Sequence, residues 1–219
     1  MKPMEQKQYK DWPKAPEGQH VARLVGIIDV GTQDSIFNGE VKKKPRIYLQ
    51  FEVYAEDENG KALGDEFGNP FLIGQEFTAS MSNKGKLLPF VNTWRGKPLA
   101  AEDFPFDFSR MLGKTGLMTV VHNHDKEDEK KIYANISSIV PVPAKMRDGI
   151  PEGVAENFFF DLDNADWKAM LKIYDNKLWD AMREKIAKCP EYKARASGGQ
   201  LPLAKPAGTS DDDIGEIPF

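Results

Sequence analysis

The chain has 219 residues, 40% of them hydrophobic and 11% aromatic, enough for one domain with appendages or two small domains around a true core. Its net charge is −4, and no apolar run approaches the roughly 18 residues of a membrane span. One cysteine, Cys189, excludes an internal disulfide framework and a Cys-based zinc site and suits a reduced cytoplasmic protein, and Met1-Lys2-Pro3-Met4-Glu5-Gln6-Lys7 lacks the apolar stretch of a signal peptide.

Residues 1–19 are polar and hold Pro3, Pro13 and Pro16, which reads as an N-terminal arm. Residues 20–30 are rich in Val, Ile and Leu and stop at Gly31, the pattern of a strand and its turn. Residues 31–45 read as a polar loop with Asn38-Gly39 and the start of the basic run Lys42-Lys43-Lys44-Pro45-Arg46. Over 46–54 the chain alternates: Ile47, Leu49, Phe51 and Val53 to one side, Arg46, Tyr48, Gln50, Glu52 and Tyr54 to the other. An acidic, Gly-containing connection over 56–69 leads to a third strand at 71–80. Leu87, Leu88, Val91 and Trp94 fall at i, i+1, i+4 and i+7, which predicts a helix within 85–96; Pro89 suits only its first turn. Phe104, Phe106 and Phe108 lie in a connection, and strands follow at 117–122 and 131–140 around the charged turn 123–130.

Strand, strand, strand, helix, strand, strand is the order of a five-stranded Greek-key barrel of the OB type. The expected class is therefore mainly β with added helices, with the barrel over 20–145. Pro141, Pro143, Gly149, Pro151 and Gly153 mark its end. Over 146–196 a helical extension is expected, opened by Asp163 and Asp166 as a capping box. Its apolar stripe of Trp167, Met170, Leu171, Tyr174, Leu178, Met182 and Ile186 would pack on the barrel, with a division at Asp175-Asn176. Residues 197–219 form a flexible linker and an acidic, disordered tip.

Binding an unpaired strand without reading its sequence needs cations for phosphates and flat rings for bases. One face of the second strand offers both: Arg46 with Tyr48 and Tyr54, preceded by Lys42, Lys43 and Lys44 in a loop that flanks the groove of OB barrels. Lys84 and Lys86 extend the cationic track, Trp94 continues the helix's core stripe, and Tyr133 is a second stacking candidate. Enzymatic signals are poor. His122 and His124, with Asp125, form an incomplete metal set, and Leu112-Gly113-Lys114-Thr115-Gly116 lacks the preceding glycine of a phosphate loop. Cys189 has no nearby His to activate it. No catalytic residue, metal or cofactor is assigned.

The chain ends Asp211-Asp212-Asp213-Ile214-Gly215-Glu216-Ile217-Pro218-Phe219. The four acids of this tip account for the whole net charge, so residues 1–210 are formally neutral and any nucleic-acid site is a local patch. An apolar plug behind an anionic collar suits a hydrophobic pocket rimmed by Lys and Arg on a partner protein. The tip resembles that of bacterial and phage single-stranded-DNA-binding proteins, which run acid-acid-acid-Ile-Pro-Phe; here Gly215 and Glu216 are inserted before Ile217. Four stretches in the barrel are similar to phage-encoded OB-fold members of that family. They are Ala22-Arg23-Leu24-Val25-Gly26-Ile27-Ile28-Asp29-Val30-Gly31-Thr32-Gln33, Trp94-Arg95-Gly96-Lys97-Pro98, Leu112-Gly113-Lys114 and Tyr133-Ala134-Asn135-Ile136.

The resemblance implies protection of single-stranded DNA in phage replication, recombination and repair, in the host cytoplasm. It also implies recruitment of replication or recombination proteins through Asp211, Asp212, Asp213, Ile214, Glu216, Ile217, Pro218 and Phe219. The segment 161–188 departs from the bacterial pattern, where a disordered linker follows the barrel, so a monomer or small homo-oligomer is expected instead of that family's tetramer. Three other readings stand beside it. They are a recombination mediator or annealing protein, a protein-interaction module that does not touch DNA, and a metal-dependent nuclease built on His122 and His124.

Overall fold

Alternation at period two puts Leu49, Phe51 and Val53 on one face of a strand, and all three are fully buried. They form the floor of the main core in the computed structural model, which describes residues 13–37, 39–125, 128, 131–163 and 176–197. The described residues are mainly β, in antiparallel sheet with a few helices. Strand β1 (Gly18–Phe37) pairs with β2 (Glu40–Glu56), and β2 in turn with the short β3 (Ala62–Leu63) and with β4 (Phe71–Thr78). The first six residues of β1 pair on their other edge with β5 (Thr115–His124), which pairs with β6 (Ile132–Val140). The order is thus β4-β2-β1-β5-β6, and its two outer strands approach each other without a described ladder.

A bulge between Leu24 and Gly26 adds one residue to β1, so Ala22, Leu24 and Ile27 all face the main core despite their mixed spacing. Helix α1 (Leu87–Arg95) closes that core with Leu87, Val91 and Trp94, and Gly96 ends it in a left-handed conformation. The Trp94 indole donates to the Thr115 carbonyl at 2.9 Å. It lies over Gly116, where an added Cβ would sit 2.6 Å from Nε1.

Residues 31–37, expected as loop, are strand. From Gly31 and Arg46 β1 and β2 stay in register out to Phe37 and Glu40, and Gly39 between them has φ +79°. Two further strands have no counterpart in the sequence reading: β3, and β7 (Phe158–Phe160), which runs parallel to β1 along the stretch of edge beyond β5. Helix α2 (Asn176–Lys188) and helix α3 (Pro190–Ser197) meet at Cys189-Pro190, where proline fits the first turn of the second helix. Met182, Ile186, Cys189 and Tyr192 pack with Phe160 and Leu162 on Ile28, Val30 and Tyr48, forming a second core on the outer face of the β1–β2 pair. Asp163 lies in a turn whose carbonyl, with that of Leu162, accepts hydrogen bonds from Arg195. Its expected capping partner Asp166 and the stripe from Trp167 to Tyr174 lie outside the described residues, as does the tip 211–219.

Before β1, Ala15 is buried, and its carbonyl meets the His122 ring nitrogen at 2.8 Å while the His122 amide donates to Glu17. Among the described residues no helix is long and apolar enough to cross a membrane.

Candidate nucleic-acid interface

Past the level of Gly31 and Arg46, β1 and β2 leave the rest of the sheet and continue as a two-stranded arm. Lys42, Lys43 and Lys44 stand on this arm opposite Ser35, Asp34 and Gln33. They are strand residues, which corrects their expected place in a loop; the ribbon shows no apolar alternation because neither face lies on a core, and Thr32 and Gln33 near its root are instead held by polar contacts to Glu191 and to the Lys185 carbonyl. Side chains alternate along it, so Lys43 faces opposite to Lys42 and Lys44. Lys42 pairs with Glu40 at 3.4 Å, an exposed contact of small energetic value.

At the root of the arm Arg46 is half-buried. Its Nε lies 3.6 Å from the Glu76 carboxylate and its Nη1 donates to Thr78 Oγ1. Glu76 also receives Lys185 Nζ of α2 at 2.6 Å, so one carboxylate ties the arm's root to the helices. Arg46 is therefore engaged internally. The end of β4 meets the same root, since the Ala79 amide donates to the Pro45 carbonyl. Exposed Lys84 and Lys86 follow a few residues later, and the sequence from Ala79 to Ala101 contains no acid.

Two of the three expected stacking rings are not available. Tyr48 is 6% exposed and belongs to the second core. Its ring covers Gly74, where an added Cβ would lie 2.1 Å from Cζ. Tyr54 is turned into a polar cluster: its hydroxyl donates to Glu52 at 2.9 Å and accepts from Arg23 Nε at 3.2 Å. Both correct the sequence reading, and for one reason: the outward face of β2 is covered by residues 153–162 and by α2. Tyr133 is 42% exposed, with its hydroxyl on Asp125 and the Lys131 ammonium 5.2 Å from its ring centre. Its ladder partner Asn123 lies beyond the start of β1, whereas the lysines lie near the end of β1. No described ladder joins the two.

The cluster beneath the outer cover was missed in the sequence. Glu52, 1% exposed, accepts from Arg23 Nε and Nη2, from the Tyr54 hydroxyl and from the Val154 and Ala155 amides at 2.8–3.1 Å. Arg23 Nη2 also donates to the Ala155 carbonyl at 2.6 Å. Burial pushes the Glu52 carboxyl up, but these donors outweigh it and hold it below the usual carboxylate range. Gly153 is required here, because a Cβ on it would lie 1.9 Å from the Arg23 guanidinium. The one sequence signal was a charge pair, Arg23 and Glu52, on two adjacent predicted strands.

A scan of protein-family models gives no match to this chain, and a search of curated proteins gives none.

Proposed function

We propose that this chain is a non-enzymatic, largely sequence-independent single-stranded-DNA-binding protein on a five-stranded barrel of the OB type. The strand order β4-β2-β1-β5-β6, with α1 between β4 and β5, the third and fourth of these strands in chain order, supports the fold reading. The observation that carries the functional reading is the arm. Three consecutive lysines lie on a ribbon extending past the sheet, and Lys84 and Lys86 follow the strand that ends at its root. Such a track suits a phosphate backbone. Tyr133 remains as the stacking ring, and the burial of Tyr48 and Tyr54 shifts affinity toward phosphate contacts and a steep dependence on salt. In this reading the acidic tip recruits replication or recombination proteins, and the setting is phage DNA metabolism in a host cytoplasm.

Fluorescence anisotropy with labelled oligo-dT across a salt series tests it. Replacing Lys42, Lys43 and Lys44 together by Ala is expected to weaken binding and to flatten the plot of log affinity against log salt by about 2, at roughly 0.7 per lost phosphate contact. Unchanged affinity and slope would remove the arm from the interface. No binding by the intact protein would remove the function.

A further inference from the structure

The outer end of the arm carries something a purely electrostatic ribbon does not need. Ile36 and Val41 are direct partners across the ladder, next to the turn, and are 78% and 64% exposed. They share one face of the ribbon, and Lys43 follows Val41 on that face while Lys42 stands behind it. Both are β-branched, so each is stiff about its first torsion and loses little freedom when it is buried in a complex. Short of the root, the arm from Thr32 to Pro45 holds three cations, Lys42, Lys43 and Lys44, against two acids, Asp34 and Glu40, and Lys43 stands directly across from Asp34.

We infer that Ile36 and Val41 form an apolar wedge that inserts between neighbouring bases of the strand whose phosphates the lysines hold. Aliphatic side chains placed between base steps unstack them, and stiff branched ones do so without first being ordered. Charge selects the occupant. A second copy meeting this tip would bring up an arm of the same sign, each carrying one more cation than acids, whereas a polynucleotide offers both the anions and the apolar surface of its bases. The inference rests on the nucleic-acid reading above and adds the contact to bases that Tyr48 and Tyr54 cannot make.

The test replaces Ile36 and Val41 together by Thr, which keeps the β-branch and so keeps the ribbon. Affinity for oligo-dT is expected to fall about tenfold, the size suited to leaving two aliphatic side chains without an apolar partner. The salt slope should stay as in the intact protein, unlike that of the lysine variant. An adenine-rich oligonucleotide carrying 2-aminopurine is expected to brighten on binding the intact protein, as its stack opens, and to stay quenched with the variant. Equal affinity and equal brightening in the two proteins would overturn the wedge while leaving the lysine track standing. A change in the sedimentation of the DNA-free protein on substitution would overturn it too, by assigning the pair to a contact between copies. If the intact protein binds no oligonucleotide, the wedge falls with the function.

Discussion

Gly74 is the residue that lets Tyr48 lie flat. Without a side chain on β4 at that point, the phenol ring drops onto the sheet and completes the core beneath α2. Tyr48→Phe is therefore expected to leave DNA affinity unchanged, since the ring does not meet solvent. Tyr48→Ala is expected to lower stability by about 3–5 kcal/mol, the usual cost of deleting a buried aromatic ring. Urea unfolding of both variants, alongside oligo-dT binding, checks this; a selective loss of binding in the Phe variant would return Tyr48 to the interface. Cys189 belongs to the same packing. Burial pushes its thiol up to about 11, so it is protonated at neutral pH and packs as a small apolar group against Gly31.

At the scale of elements, the stretch from Gly153 to Phe160 behaves as a strap. It is held at one end by the Glu52–Arg23 cluster and at the other by β7. Glu52→Gln leaves the Arg23 guanidinium partly buried without its counter-charge, and a loss of about 3–5 kcal/mol is expected. The pH dependence follows from the depressed folded-state value of Glu52. The stabilisation is complete above the unfolded carboxyl value of about 4.3 and is lost as pH falls through the lower folded value. Thermal unfolding measured from neutral to acid pH should show this limb in the native protein and a flatter one in Glu52→Gln. Parallel curves would show that another carboxylate governs the acid limb.

For the molecule as a whole, charge is divided between a formally neutral body and a −4 tip. A tip that competes with DNA for the lysine arm makes deletion of residues 211–219 tighten oligo-dT binding at low salt, with the difference shrinking as salt screens it. Equal affinity at every salt concentration would show that the tip does not meet the arm. The parts of this fold that were legible in the sequence are those with one apolar and one polar face. The alternation over Ile47–Val53 and the 3.6-residue stripe of α1 exist because each element turns a single side to the main core. The arm was not legible as strand, because a ribbon with neither face on a core has no apolar period; only Asn38-Gly39 signalled its turn. The sequence by itself determined that β2 has two unlike faces and that lysines cluster just before its alternating stretch. Only the tertiary structure decided that the polar face would be covered, since its cover, Phe160 and Ile186, comes from more than 100 residues away. Periodicity shows that the faces differ; burial is decided by which distant segment packs on them.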